Sequence, residues 1–296
     1  DVSGYFGVGA DNWVVSAHTN VGLNNFLFPT EDGQLVIGLD DYVSEEMFLS
    51  GLSPVNSAGV SVNGNVISVG GKGKRGIVFN FEANIKSNNV LNVSKDVFTV
   101  LKKGGDLSGI HFSDFSFDTQ NYLELALGFG KKCGNLSLGF KVKALLGVAY
   151  ADVSINQMNV SGLGSDMSVN GTGDIKVAAK MLDYLDDNGR FVSPSLGKVG
   201  YSGIGVAFDL GAVYEINEKL ELSASIGDLG GINWQYDTDG QLSFKYSDDF
   251  DIKVAGNEPS QKMKMLPVNL NAGLRYRLNN TFLVGLIANA KTGKQS

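Results

Sequence analysis

The sequence predicts an all-β protein, an antiparallel up-and-down transmembrane β-barrel with a few short helices. Bulky apolar residues alternate with small or polar ones, which is the period of a β-strand. Several runs reach roughly eleven to thirteen residues, longer than the usual strand of a soluble sheet and long enough to cross a bilayer at a tilt. The opposite face is rich in Gly, Ala, Ser and Asn, which suits the crowded interior of a barrel better than the wet face of a sandwich.

The clearest alternation is a predicted hairpin between residues 203 and 230, with a turn at residues 217–219. Its first strand carries bulky side chains on one face from Ile204 to Ile216, and its second repeats the pattern from Leu220 to Ile226. The hairpin's other face is small and polar, and it comprises Gly205, Ala207, Asp209, Gly211, Glu215, Glu221, Ser223, Ser225 and Gly227.

The same alternation predicts further strands along the chain. Strong runs occupy residues 77–85, 122–129, 137–150, 268–278 and 282–290. Weaker signals occupy residues 12–22, 60–69, 108–117, 154–160, 167–172 and 233–246. Together they predict a meander of roughly ten to fourteen strands in a single domain over residues 1–296.

Three segments have helical rather than alternating patterns. Residues 44–52 begin with Ser44 as N-cap, followed by two glutamates. Residues 94–104 have the same form and end at Gly104. Residues 174–188 place apolar side chains at helical spacing and end at Asn188. We therefore expect three small helices, outside the wall or inside the lumen.

Composition narrows the class of protein. A net charge of −7 and a pI near 4.9 argue against a nucleic-acid-binding surface, which needs clustered Lys and Arg. The single cysteine, Cys133, excludes an intramolecular disulfide and a multi-cysteine metal site. No apolar run is long enough for a membrane helix, whereas barrel strands average out in hydropathy. Because the chain starts at Asp1 without a leader, we expect that any signal peptide has been removed.

Charged residues on the small face are the candidate functional residues. In a barrel they would line a polar lumen, where a salt-bridge network is the structural explanation and contact with a ligand the functional one. These candidate lumen-lining residues are Glu82, Glu124, Lys141, Lys143, Asp209, Glu215, Arg275 and Arg277.

No motif predicts catalysis. Residues 71–76 match G-x-G-x-x-G but lack the strand-to-helix context of a dinucleotide site, which favours a hairpin tip. Residues 237–240 resemble the start of a calcium loop without its later acidic ligand, although Asp248, Asp249 and Asp251 leave a weak cation site as an alternative. The two histidines lack metal-ligand spacing, and no nucleophile elbow occurs. The sequence therefore predicts a protein that is not an enzyme and has no cofactor.

Several segments carry a family resemblance: residues 22–29, 46–49, 121–128, 207–212 and 228–230. The chain resembles an uncharacterised Bacteroidota outer-membrane family, which is similar in turn to the PorV and FadL-like (long-chain fatty-acid transporter) barrels. The resemblance implies a barrel of roughly fourteen strands in the outer membrane, with lipid and another outer-membrane or periplasmic protein as partners. Such barrels end in an aromatic residue, whereas this chain ends at residues 291–296, so we expect that its closing strands are missing.

These observations leave three functions open. The leading prediction is passage of a small or hydrophobic solute through the barrel, with residues 174–188 or the N-terminal stretch as a plug. The first alternative is a non-transporting accessory barrel of an outer-membrane secretion or assembly complex. The second alternative is a soluble ligand-binding β-sandwich.

Overall fold

The chain forms a curled antiparallel sheet with the shape of a half-barrel and few helices. The structure is a computed structural model, and fifteen of the strands that it describes belong to this sheet. The residues described are 6–9, 13–73, 76–103, 111–112, 115–161, 168–246, 250–256, 258–279 and 282–292.

The strands and helices have the following bounds. The strands are β1 (Phe6–Gly9), β2 (Trp13–Thr19), β3 (Leu27–Pro29), β4 (Leu35–Ile37), β5 (Val55–Lys72), β6 (Ile77–Ser94), β7 (His111–Phe112), β8 (Phe115–Cys133), β9 (Leu136–Ser161), β10 (Ser168–Ala178), β11 (Leu182–Leu185), β12 (Phe191–Leu196), β13 (Gly203–Glu215), β14 (Leu220–Tyr236), β15 (Thr238–Tyr246), β16 (Phe250–Ala255), β17 (Ser260–Met265), β18 (Asn269–Arg277) and β19 (Leu283–Lys291). The helices are α1 (Glu45–Ser50) and α2 (Lys95–Lys103), and a 3-10 turn covers Leu23–Asn25.

The main path across the sheet runs β1-β5-β6-β8-β9-β13-β14-β18-β19, and β2 continues the β1 edge along β5. Few residues join β5 to β6, β8 to β9, β13 to β14 and β18 to β19, and all four joints lie at the end that we call the short-turn end. The opposite, long-loop end carries the longer connections, which include both helices. Long strands with short hairpins confirm the predicted meander of antiparallel strands.

The two faces of the sheet differ in chemistry, as the alternation predicts. On the outer face, bulky apolar side chains remain exposed, for example Leu127 at 51%, Phe129 at 52% and Ile204 at 60%. On the inner face, charged side chains are buried, among them Glu124 and Lys143. Apolar groups outside and charges inside is the reverse of a soluble core.

The predicted helix at residues 174–188 is wrong, because this segment forms β10 and β11. Ile175 pairs with Val153 on one side and Gly240 on the other, and its side chain is buried against Leu242 and Val254. Its apolar residues satisfy a two-residue period as well as a helical one, and β10 obtains ladder hydrogen bonds on both of its edges.

The end of that segment is a turn. The Asp186 carboxylate accepts hydrogen bonds from the backbone N–H groups of Arg190 and Asn188, each at 2.8 Å, and they hold the pKa of Asp186 below its usual range. Gly189 follows with a φ of +73°, which favours glycine. These turn residues terminate β11 rather than a helix.

The other two predicted helices are confirmed. The Ser44 hydroxyl oxygen accepts a hydrogen bond from the Met47 backbone N–H, at 3.2 Å, as an N-cap should. The second helix is α2, although the predicted stop at Gly104 lies outside the described residues. Lys103 of α2 forms an ion pair with Glu45 of α1, at 3.1 Å. Neither helix in the described part of the chain is long and apolar enough to cross a membrane.

An apolar core fills the inner face near the long-loop end. It centres on Trp234 and Ile232, which are fully buried, and Tyr150 lies 5.3 Å from the Trp234 ring, between centroids. A Cβ atom on Gly147 would overlap the Trp234 ring, and one on Gly203 would lie 2.9 Å from it. Glycine at these positions therefore provides space for the indole rather than an open lumen.

Candidate functional site

An ion cluster lies on the inner face, next to the apolar core. The Lys143 Nζ lies 2.6 Å from Asp228 Oδ1, 2.8 Å from Asp209 Oδ1 and 3.6 Å from Glu124 Oε2. The side chains of Lys143 and Glu124 are only 7% and 3% exposed. A charge this deeply buried must be paired, and here one ammonium serves three carboxylates.

A β-bulge brings Asp228 into this cluster. The pairing of β13 with β14 shifts after Phe208, so that Asp209 stands opposite two residues, Gly227 and Asp228. Asp228 has a φ of +61°, the one positive value at a non-glycine residue in the described part of the chain. Its backbone N–H donates to Asp209 Oδ1 at 2.8 Å. Because of this extra residue, Asp228 and the residues after it in β14 occupy the opposite faces from those that strict alternation would give.

Amide side chains orient two of the carboxylates. Asn84 Nδ2 donates to Glu124 Oε1 at 2.9 Å, and Asn65 Nδ2 in turn donates to Asn84 Oδ1 at 2.8 Å. On the other side, Asn269 donates to Asp228. A buried polar network is stable only when its members are partnered, and these amides supply partners that the lysine alone does not.

A second ion pair lies one step closer to the short-turn end. Lys141 Nζ lies 2.8 Å from Glu82 Oε2, and Asn80 donates to the other oxygen of Glu82. The side chains of Lys141 and Glu82 are 27% and 23% exposed, so this pair is more solvated than Lys143. Together the two lysines and four carboxylates make the middle of the inner face strongly polar.

Two neighbouring cavities lie on the inner face, and the first of them adjoins these charges. One of about 590 Å³ is lined by Asn80, Lys141, Asp209 and Asp228, among others. The next, of about 430 Å³, lies towards the short-turn end and is lined by Ser137, Gly139, Gly211, Val213, Ser223, Ser225 and Asn271, among others. The predicted small face thus divides in two, because Gly205 and Ala207 lie beside the apolar core, whereas Gly211, Ser223, Ser225 and Gly227 line open space.

The predicted site residues fall into two groups. Glu82, Glu124, Lys141, Lys143 and Asp209 meet in the middle of the inner face, as described above.

The other three predicted residues, Glu215, Arg275 and Arg277, lie near the short-turn end. Glu215 and Glu221 stand directly opposite each other on β13 and β14, and each is paired with a cation from another strand. Lys132 donates to Glu215 at 2.6 Å, and Arg275 pairs with Glu221. Arg277 forms no ion pair with any residue that the structure describes, and its backbone N–H donates a hydrogen bond to the carbonyl of Lys219, at 2.8 Å.

The sequence missed Asp228 as a site residue. Strict alternation from Leu220 places Asp228 on the outer face, and no turn signal marks the bulge that moves it inward. Asn84 and Asn269 could have been found, because each occupies the polar face of a predicted strand.

The predicted motifs and metal alternatives have the following positions. Residues 74 and 75 of the glycine-rich motif, and two of the three aspartates at residues 248–251, lie outside the described residues. The motif begins in the last two residues of β5 and ends just before β6 begins at Ile77, so it has no strand-to-helix context. Across the described ranges, no group of three His, Cys, Asp or Glu residues has an arrangement that could hold a metal ion.

The fold and the site define a class of protein: a half-barrel of long antiparallel strands with an exposed apolar outer face and a buried ion cluster inside. The chain belongs to a family of unknown function, DUF5723, whose model matches residues 1–296. Comparisons with curated proteins and with solved structures give no match.

Proposed function

We propose that this protein is an outer-membrane β-barrel that passes a small polar solute. The observation that carries the proposal is the opposition of the two faces: exposed apolar side chains outside, and buried charges beside a cavity of about 590 Å³ inside. A lipid-facing wall around a polar lumen requires this arrangement. The resemblance to PorV-like and FadL-like barrels supports the outer-membrane barrel in this proposal, and the charged inner face is the reason for proposing a polar rather than a hydrophobic solute.

The outer face supports a membrane environment. Apolar side chains follow one another across β8, β9, β13, β14 and β18, and the rings of Phe140 and Phe208 stack with centroids 6.0 Å apart. Soluble monomers rarely expose contiguous apolar patches of this extent, because their contact with water is costly. In a soluble sandwich a second sheet would cover this face, and no described strand does so.

The two ends of the sheet support an orientation. Bacterial barrels have short turns on the periplasmic side and longer loops outside the cell. By that rule the short-turn end faces the periplasm, and the helices and β10–β12 face outwards. The proposed barrel closes between the two sheet edges, β1 with β2 on one side and β19 on the other.

Cysteine labelling tests membrane location and orientation together. The native Cys133 is exposed and is the last residue of β8, at the short-turn end. In intact cells, an impermeant maleimide should leave Cys133 unmodified and should label Asn188→Cys in a Cys133→Ser background. After the outer membrane is opened, Cys133 should react. Heat-dependent gel mobility of the extracted protein is the companion measurement, and a freely soluble protein without a mobility shift would refute the barrel.

Passage is tested separately, in liposomes that contain the purified full-length protein. We expect swelling with small polar solutes and conductance in planar bilayers. Normal insertion and a heat-dependent shift without either signal would retain the barrel and reject passage.

The apolar core favours a second candidate, the non-transporting accessory barrel. Trp234 and Ile232 fill the inner face near the long-loop end, where both side chains are fully buried. A wall that is plugged in this way would instead present its outer loops to a larger complex. A stable co-purifying partner, together with absence of conductance in both wild type and Trp234→Ala, would support this candidate over passage.

A further inference from the structure

A third cavity, of about 270 Å³, lies on the inner face beyond Asp228. Strands from both edges of the curled sheet contribute to its wall. Ser16 comes from β2 at one edge and Lys291 from β19 at the other, with Lys86 and Gln120 between them. The curl therefore brings residues that are far apart in sequence into one polar pocket.

Two lysines in this cavity lack the carboxylate partners that the other inner-face lysines have. Lys141 and Lys143 each pair with glutamate or aspartate, whereas neither Lys86 nor Lys291 forms an ion pair with any residue the structure describes. Asp228 is the one carboxylate in the lining, and its oxygens are engaged by Lys143 and Asn269. The cavity wall therefore carries positive charge that the described residues do not neutralise.

Gln120 adds a donor without an acceptor. Gln120 is only 5% exposed, and its side-chain Nε2 makes no hydrogen bond within the described part of the chain. A buried donor without an acceptor is destabilising, so such groups usually have a partner. An acceptor in the cavity would satisfy Gln120 and the two ammonium groups together.

We propose that this cavity binds a compact oxyanion: the carboxylate, phosphate or sulfate group of a small solute. Charge-assisted hydrogen bonds from two ammonium groups and an amide are the chemistry that recognises such a group. The volume corresponds to roughly nine water molecules, enough for an oxyanion on a short carbon skeleton. This inference rests on the proposed function, which supplies the solute. It deepens that function by assigning the solute a negative charge.

Calorimetric titration of the purified full-length protein in neutral detergent tests the site. Acetate, inorganic phosphate and sulfate are the probes, with chloride as the baseline, and the probe that binds most tightly identifies the group. We expect saturable binding that weakens at least about tenfold in Lys86→Gln and in Gln120→Leu, since a hydrogen bond to a charged group contributes about 1.5–3 kcal/mol. The matched control is Lys198→Gln, an exposed lysine outside the cavity, which should bind as wild type does.

A second measurement does not depend on how the variants fold. Acylation of lysines, followed by mass spectrometry, should show that the binding oxyanion slows modification of Lys86 and Lys291 in wild type, and leaves Lys198 unaffected. Absence of saturable binding and of protection, or an equal loss in Lys198→Gln, would overturn the oxyanion site. Because both measurements are made in detergent, binding without conductance would reject passage alone, whereas conductance without binding or protection would reject this site alone.

Discussion

The carboxylate of Asp209 accepts a hydrogen bond from the backbone N–H of Asp228, at 2.8 Å, across the bulge between β13 and β14. Both aspartates also contact the same ammonium group, that of Lys143. Two like charges can lie this close because the lysine lies between them and the backbone donor stabilises one of them. The bulge and the ion cluster therefore depend on each other.

Removal of Lys143 should destabilise the protein more than removal of its neighbour. Lys143→Met leaves three carboxylates in a buried site, and we expect a loss of about 3–5 kcal/mol in the free energy of unfolding. Lys141→Met is the matched control, since Lys141 has one carboxylate partner, Glu82, and is more exposed. Urea unfolding in detergent measures both, and equal losses would contradict a cluster that depends on the buried lysine.

Substitutions at Asp228 should separate backbone conformation from charge. Asp228→Asn tolerates the left-handed backbone and retains an oxygen for Lys143, so it should cost least. Asp228→Gly relieves the backbone strain but loses that oxygen. Asp228→Ala loses the oxygen and keeps the strain, so its loss in the free energy of unfolding should exceed that of Asp228→Gly by about 1–2 kcal/mol. Urea midpoints rank the three variants, and alanine equal to glycine would show that the positive φ has no cost.

Glycine at position 147 should be required by the Trp234 ring. Gly147→Ala places a methyl group against the indole, and overpacking of this kind costs about 1–3 kcal/mol. Gly200→Ala is the control, because no atom lies within 4 Å of its added Cβ. Combining Gly147→Ala with Trp234→Phe should recover part of the loss, and failure of the double variant to do so would place the strain elsewhere.

A charge on the outer face should be costly only in a membrane. Leu210→Arg lies in the middle of β13, and an arginine there should cost about 2–4 kcal/mol in phospholipid vesicles. Ile216→Arg, just past the short-turn end of the same strand, should cost about 0–1 kcal/mol. Equal costs at the two positions in vesicles would argue against a lipid-facing wall.

Much of the fold was predictable because alternation is a local property. The hairpin at residues 203–230 and its face assignments are correct up to Gly227. The helix after Ser44 follows from its cap. The helix after Ser94 follows from its apolar spacing, whereas the predicted cap is wrong, because the buried Ser94 Oγ makes no hydrogen bond with any residue that the structure describes. The segment from Asp174 to Asn188 was wrongly predicted to be a helix, because its apolar residues at positions 175, 178 and 182 have helical spacing. It forms a strand instead because β9 and β15 provide hydrogen bonds to both edges of β10.

The candidate site was half predictable for the same reason. The two-residue alternation along each strand is enough to assign Glu82, Glu124, Lys141, Lys143 and Asp209 to the small, polar face, and they do meet there.

By itself, the sequence determined that long amphipathic strands form a sheet with one apolar and one polar face, because side-chain direction along a strand depends only on the neighbouring residues. Tertiary structure alone decided the inward position of Asp228, the closeness of Trp234 to Gly147, and the presence of Lys86 and Lys291 in the wall of one cavity. Each of these depends on a bulge, a strand register or the curvature of the whole sheet. Such features arise from pairing between distant segments, which no local pattern encodes.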